Sequence, residues 1–129
     1  MNQSEREKLI SAWLIAHEAG TESPIYEENW WAVETFLNLP EEDPELLWEL
    51  ILETINKEKN KKLLSYLAAG PFEDLMCKYG TELIERVEKE ASSNPIFKNT
   101  MKHVWLESND TNAFSRFYEA AGIEPPFNE

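Results

Sequence analysis

Histidine, cysteine and paired carboxylates are the side chains of this 129-residue chain that could perform catalysis or hold a metal. His17 is followed by Glu18, but no second histidine lies four residues later, so the helical zinc-protease pattern is absent. His103 lacks the glutamate three residues before it that the di-iron helix motif requires. Cys77 lies in a mostly apolar segment, where a lone thiol is more often packed than nucleophilic. We therefore expect no catalytic residue, no metal and no cofactor.

Carboxylate pairs are the remaining candidates for acid–base chemistry. Glu49 and Glu53 share a helix face, but exposed acids without apolar enclosure seldom acquire the shifted pKa that catalysis requires. The chain has no glycine-rich phosphate loop, and its basic residues cluster only between Lys57 and Lys62. That cluster is too small for nucleic-acid binding on an anionic molecule. The sequence predicts a protein that is not an enzyme and does not bind nucleic acid.

The distribution of charge is the strongest functional signal. The 48 residues from Leu9 to Asn56 carry eleven carboxylates, no lysine or arginine and four of the five tryptophans, and they supply −11 of the net charge of −13. From Lys57 onward, ten basic residues are interspersed with twelve acidic ones, as on a solvated surface. Concentrated negative charge attracts a basic partner and repels nucleic acid and anionic membranes. The pattern favours a surface that binds a basic protein, with a solvated face as the alternative.

Trp31 is the best candidate for an anchor on this surface, because tryptophan is enriched at the centres of interfaces. It lies off the apolar stripe of its predicted helix, and a ring surrounded by carboxylates suits an arginine or lysine side chain. The alternative is that Trp31 packs against a second helix. The other tryptophans are expected in the core: Trp13, Trp30, Trp48 and Trp105. The predicted partner-binding residues are Trp31, Glu27, Glu28, Glu34, Glu41, Glu42, Asp43, Glu45, Glu49 and Glu53.

The elements that must position these residues are helices. With only four glycines, the breaks between apolar segments are typical of helix ends rather than hairpin turns. Asp43-Pro44 and Asn94-Pro95 each combine a capping residue with proline at the first helical position. The prediction is an all-α domain of about eight short helices in stacked antiparallel hairpins, either an irregular bundle or a small solenoid-like array.

Glycine, proline and capping spacing set the predicted boundaries. Ser4 with Glu7 has the spacing of a capping box and would begin the first helix. Pro40 would end the second helix, and Gly80 would end the fifth. On the face of the third helix, four apolar residues are expected to point inward: Leu47, Leu50, Ile51 and Ile55.

Length and composition place further bounds on the chain. Residues 1–129 fit one domain that can bury most of its unfolded surface, and 42% apolar content argues against disorder. The single cysteine and a charged N-terminus without an apolar run favour a cytoplasmic protein. No stretch has the length and apolarity needed to span a bilayer, so membrane association is not expected.

The segment from Leu67 to Met76, Leu-Ala-Ala-Gly-Pro-Phe-Glu-Asp-Leu-Met, carries a resemblance. It is similar to an uncharacterised bacterial helical domain family with a Leu-Ala-Ala-Gly-Pro-Leu-Glu-Asp-Leu core. The similarity covers roughly Trp30 to Trp105; this chain has Phe72 and Met76 where leucine is expected, both tolerable apolar exchanges. The resemblance implies a small bacterial protein, and members of such families are often immunity or accessory proteins encoded near toxin genes.

Local structure explains much of this motif. Its two alanines would let helices approach closely, Gly70 would take the left-handed conformation that ends a helix, and Pro71 would start the next one. Glu73 and Asp74 would then occupy the first turn, where the helix dipole favours acids. The alternative is that Glu73 and Asp74 form a recognition or catalytic pair at a sharp corner between helices.

Charge and resemblance together predict an acidic protein-binding inhibitor. The first hypothesis is an immunity protein that neutralises a basic toxin domain, a nuclease in the leading version, by covering its nucleic-acid site with the carboxylates of Leu9–Asn56. The alternative is a nucleic-acid mimic or anti-defence inhibitor that occupies the DNA-binding surface of another protein. A mimic should space its carboxylates in regular rows, whereas an immunity protein should concentrate them around aromatic anchors.

Overall fold

Helices account for nearly all of the regular structure. The computed structural model describes residues 1–106 and 111–125. These residues form eight α-helices and one π-helical turn without any strand, which confirms the all-α prediction. The elements are α1 (Gln3–Ala19), α2 (Pro24–Glu28), α3 (Trp30–Glu42), α4 (Pro44–Lys57), α5 (Lys61–Leu67), the π turn (Ala68–Phe72), α6 (Glu73–Ser93), α7 (Pro95–Met101) and α8 (Thr111–Ala121).

Side-chain caps begin α4 and α7 where the sequence predicts them. The Asp43 carboxylate accepts a hydrogen bond from Leu46 N–H at 3.1 Å, and the Asn94 side chain accepts one from Phe97 N–H at 3.1 Å. In both helices the residue after the cap is proline, whose missing N–H would have no partner in the first turn.

The start of α1 differs from the prediction. Asn2, and not Ser4, is the capping residue, and its side chain accepts a hydrogen bond from Glu5 N–H at 2.8 Å. The Glu5 carboxylate accepts one from Asn2 N–H at 2.8 Å, which completes the capping box. Asparagine caps a helix as well as serine does. The capping box at Asn2 therefore forms instead of the one at Ser4, and the first helix begins at Gln3.

The predicted second helix is two helices, α2 and α3. The Ser23 hydroxyl accepts a hydrogen bond from Ile25 N–H at 3.1 Å, and Pro24 follows at the first helical position. This is the same cap-and-proline start that α4 and α7 use. The backbone at Asn29, with φ −108° and ψ 12°, then separates α2 from α3.

Pro40 does not end α3, contrary to the prediction. The helix continues through it to Glu42, and Asp43 N–H still donates to Leu39 O at 2.8 Å. A proline removes its own hydrogen bond and crowds the preceding turn, but helical bonding resumes directly after it.

A π turn replaces the helix end predicted at Gly70. Glu73 N–H donates to Ala68 O, five residues earlier, so the chain passes from α5 into α6 without leaving helical geometry. Pro71 lies inside this turn and has no N–H to donate, and the wider turn accommodates its ring. Gly70 therefore does not need, and does not have, a positive φ.

The boundary predicted at Gly80 between the fifth and sixth helices is a kink within α6, where two helical stretches of Glu73–Ser93 are joined. The backbone is kinked at Tyr79, with φ −129° and ψ 25°. A Cβ at position 80 would lie 3.0 Å from Cε1 of the buried Phe114 ring. The glycine is needed because it lets α6 approach α8 closely.

The core has the predicted face of α4 at its centre. The four residues expected to point inward are fully buried: Leu47, Leu50, Ile51 and Ile55. Phe72 of the π turn contacts the rings of Trp48, Phe97 and Phe117, with centroids 6.5, 5.5 and 5.6 Å away. The π turn also contacts α3, α4, α5 and α6, so the segment that carries the resemblance is the junction of the fold. No helix in residues 1–106 or 111–125 has the length and apolarity to cross a membrane.

Candidate partner-binding surface and aromatic cleft

Two tryptophans that were expected in the core lie at the surface. Trp13 and Trp48 are buried as predicted, but Trp30 is 42% exposed and Trp105 is 65% exposed. Trp105 follows the end of α7 at Met101, so the helical period that placed it inward no longer applies. Its backbone N–H donates to the Glu73 carboxylate at 2.8 Å, while its ring remains exposed.

The break at Asn29 explains the position of Trp30. The helix α3 begins at Trp30 and is separate from α2. It therefore packs on the core through a different face from the one that a single helix through both segments would use. Ala32 and Phe36 are buried on that face, whereas Leu37, also expected inward, is 54% exposed. Trp31 is 50% exposed, which is compatible with the anchor role predicted for it.

We call the outer surface of α1, α2 and α3 the acidic face. It combines exposed apolar side chains with carboxylates that make no ion pair to any described residue. Its apolar members are Ile15, Ile25, Trp30, Trp31 and Leu37. Its carboxylates are Glu18, Glu22, Glu27, Glu28, Glu34 and Glu42.

The outer stripe of α4 contributes less free charge than its three carboxylates suggest, because Arg6 of α1 pairs with two of them. The Arg6 guanidinium lies 2.7 Å from the Glu49 carboxylate and 3.0 Å from the Glu53 carboxylate. These two glutamates raise the pKa of Arg6, chiefly through their hydrogen bonds. Glu49 and Glu53 therefore bind α1 to α4 within the chain.

The other acids of this region are also engaged. Arg86 of α6 lies 2.9 Å from Glu45, and its hydrogen bond lowers the pKa of that carboxyl. Lys78 of α6 pairs with Glu41, and Asp43 caps α4. Five of the predicted partner-binding residues remain uncommitted to such contacts: Trp31, Glu27, Glu28, Glu34 and Glu42.

The expected ring of acids around Trp31 is incomplete. Glu27 and Glu28 lie on α2, beyond the break at Asn29, and so do not share a continuous helix with Trp31. The Trp31 ring instead lines an open groove of about 510 Å³ with the N-terminal part of α1, which brings both Glu5 and Lys8 to the groove. One acid and one base leave the groove without a net charge of its own, so Trp31 offers a partner chiefly apolar contact.

A second hollow, which we call the aromatic cleft, lies where α1, α2, α3, α5, the π turn and the start of α6 meet. It has a volume of about 250 Å³, and its polar groups and rings are Trp13, His17, Tyr26, Trp30, Phe36, Tyr66 and Asp74. The His17 ring is at the centre, with centroids 4.1 Å from Trp13 and 5.9 Å from both Tyr26 and Tyr66. Gly70 and Pro71 of the π turn complete the wall.

The two titratable groups of the cleft are shifted in opposite directions. Burial among the rings lowers the pKa of His17, which favours the neutral imidazole. Asp74 is exposed at the mouth of the cleft, yet nearby apolar groups replace part of its hydration and raise the pKa of its carboxyl. Among the described residues, Asp74 has no hydrogen-bonding or ion-pair partner.

The structure separates the two acids of the Leu67–Met76 segment. Glu73 is engaged with the backbone of Trp105, whereas Asp74 faces the cleft. The alternative of a Glu73–Asp74 pair is therefore reduced to Asp74 alone. Sequence reasoning missed the cleft because its lining comes from six separate elements, and no linear spacing connects them.

Cys77 and the histidines do not form a metal centre in the described residues, where no group of three or more His, Cys, Asp or Glu side chains has suitable geometry. Cys77 was expected to be packed, but it is exposed on α6. It lies beside Asp74 and Lys78 in a shallow hollow next to the cleft. The kink at Tyr79 and the π turn together set which face of α6 is outward.

The fold and surface define an all-α protein with an acidic, tryptophan-bearing face and a small aromatic cleft. The chain belongs to a family of unknown function, DUF6869, which matches residues 19–122. That range contains α2 to α8 and every element of the acidic face except most of α1. No curated protein and no solved structure matches the chain.

Proposed function

We propose that this protein is an acidic protein-binding inhibitor, and specifically a cytoplasmic immunity protein that neutralises a basic toxin domain with nuclease activity. The observation that carries the proposal is the acidic face. Six carboxylates without an ion pair to any described residue occur in the same stretch of chain, 15–42, as five exposed apolar side chains, and this stretch contains no lysine or arginine. A patch of this kind is costly for the isolated chain, since the like charges repel one another and the apolar groups remain in water.

A basic partner would relieve both costs. Apolar contact with Trp31, Ile25 and Ile15 would supply the buried centre that interfaces depend on. The surrounding carboxylates would attract and orient a positively charged surface before contact. A nuclease that binds phosphate presents such a surface at its active site, and fast association is what a producing cell needs for protection.

The ion pairs between carboxylates of α4 and arginines of other helices argue against the nucleic-acid mimic. A mimic needs a regular row of free carboxylates, and the most regular row in the chain is Glu45, Glu49 and Glu53. All three are held by Arg6 or Arg86. The unpaired acids instead share the stretch 15–42 with exposed aromatic and aliphatic side chains, and this mixture of acids and apolar anchors supports the immunity protein.

Co-expression with the protein encoded by the adjacent reading frame tests the proposal. We expect that protein to arrest growth and degrade nucleic acid when expressed alone, and we expect this chain to restore growth. A variant in which Glu27, Glu28 and Glu34 are replaced by glutamine should protect less well at equal expression. A neighbour without toxicity, or one whose toxicity this chain does not relieve, would contradict the proposal.

A further inference from the structure

We infer that the aromatic cleft is a binding site for a guanidinium group, and that its occupant is an arginine side chain of the basic partner. The source of the arginine rests on the proposed function. The chemistry of the cleft rests on its own residues, so the two can fail separately.

The walls of the cleft supply flat aromatic surface. Trp30 and Tyr66 are 42% and 37% exposed at its rim, and Tyr26 lies between Trp30 and the central histidine, with a centroid 6.1 Å from the Trp30 ring. Arginine stacks on such rings through both its planar shape and its charge, and tryptophan is the strongest aromatic partner for a cation. The exposed rims give a side chain access from the solvent.

Asp74 supplies the counter-ion. It is the one carboxylate among the residues that line the cleft, and no lysine or arginine lines it. The nearest cation on α6 is Lys78, one turn away, and Lys78 already pairs with Glu41. A partly desolvated carboxylate without a partner is unfavourable in the isolated chain, and an incoming guanidinium would supply hydrogen bonds and opposite charge together.

The central imidazole does not compete with a cationic guest. His17 is partly buried among Trp13, Tyr26 and Tyr66 and makes ring contacts with all three. Because burial disfavours its charged form, the floor of the cleft stays uncharged near neutral pH. The cleft then has one negative group at its mouth and no positive group in its lining.

The volume indicates the size of the guest. At about 250 Å³, the cleft is smaller than the roughly 300 to 1,000 Å³ pockets that hold drug-sized ligands. It suits one side chain better than a whole cofactor. The larger groove beside Trp31 has both Glu5 and Lys8 in its lining and so lacks the net negative charge that would favour a cation.

Titration of the full chain with Nα-acetyl-arginine amide tests the site, with tryptophan fluorescence and amide NMR shifts as readouts. Nα-acetyl-citrulline amide has nearly the same shape without the charge and is the matched ligand control. We expect the arginine compound to bind about tenfold more tightly than the citrulline compound. Asp74→Asn should abolish that preference, whereas Glu82→Gln, an exposed acid of α6 outside both the cleft lining and the acidic face, should leave it unchanged.

Equal binding of the two compounds, no binding of either, or an unchanged preference in Asp74→Asn would overturn the site. The source of the arginine is tested by partner affinity, which Asp74→Asn should weaken about tenfold and an arginine-to-citrulline exchange in the partner should weaken equally. Unchanged partner affinity in Asp74→Asn would overturn the assignment to the partner. Arginine binding without any basic partner would support the cleft and contradict the proposed function.

Discussion

Replacement of Trp31 by alanine separates an interface anchor from a core residue. A buried tryptophan removes about 150–250 Å² from water. Trp31 is 50% exposed, so the fold covers only about 100 Å² of it, worth roughly 2 kcal/mol at about 25 cal/mol per Å². The other half is free for a partner and should contribute a similar amount to binding. We therefore expect Trp31→Ala to lower the free energy of unfolding by at most about 2 kcal/mol and to weaken partner binding about thirtyfold.

Chemical denaturation and surface plasmon resonance measure the two effects on the same preparations. Trp13→Ala is the core control, and at 2% exposure it should cost about 3–5 kcal/mol of stability. Trp105→Ala is the surface control, because that ring is 65% exposed but lies outside α1, α2 and α3. It should leave partner binding unchanged. A Trp31→Ala variant that is as unstable as Trp13→Ala, or that binds like Trp105→Ala, would refute the reasoning.

Three further predictions concern one buried hydroxyl group and two side chains whose pKa values are shifted. Tyr118→Phe should cost about 1–3 kcal/mol in urea unfolding, because the buried hydroxyl accepts from Leu106 N–H and donates to Val104 O, both at 2.8 Å; an unchanged midpoint would contradict this. Asp74→Asn should raise the melting temperature at pH 7, because the raised pKa of Asp74 means that the ionised form is disfavoured by folding; a lower melting temperature would contradict that account. The lowered pKa of His17 means that the unfolded chain takes up a proton first as the pH falls below about 6.5. Unfolding free energy should therefore decrease with acidification in that range, and His17→Gln should flatten the slope; a slope that the substitution leaves intact would exclude His17 as its source.

Local signals predicted the helices well where the chemistry is local. The caps Asp43 and Asn94, each followed by proline, and the inward face of α4 depend on residues within one or two turns. Ser23-Pro24 carries the same signal and could have located α2. The apolar period that continues through Asn29 masks this signal in the sequence.

The features that require the rest of the fold were not predictable from spacing. A proline after a glycine ordinarily separates two helices. At Gly70-Pro71 a π turn forms instead, because packing of the turn against α3 and α4 buries Ala68 and Phe72. Likewise, Gly80 is needed for contact with Phe114 of a distant helix.

For the candidate site, too, local composition was informative and packing between distant residues was not predictable. Composition identified the acidic segment, and Trp31 and Glu34 are indeed on the exposed side of α3. Composition could not show that Arg6, Lys78 and Arg86, all outside that segment, would form ion pairs with four of its acids. Ion pairing between residues distant in sequence depends on helix packing, so counting charge overestimates what a partner can use.

The salt dependence of the association rate tests the central claim most directly. Stopped-flow measurements with the proposed basic partner would compare two variants that change the net charge equally. In the first variant, glutamine replaces the unpaired acids Glu27, Glu28 and Glu34. In the second variant, glutamine replaces the ion-paired acids Glu41, Glu45 and Glu49. For the unmodified chain we expect the rate constant to fall steeply as ionic strength rises to about 0.15 M, where the screening length is about 8 Å. The first variant should associate more slowly with a flatter salt dependence, and the second should follow the unmodified chain. Equal behaviour of the two variants, or a rate independent of salt, would contradict the account.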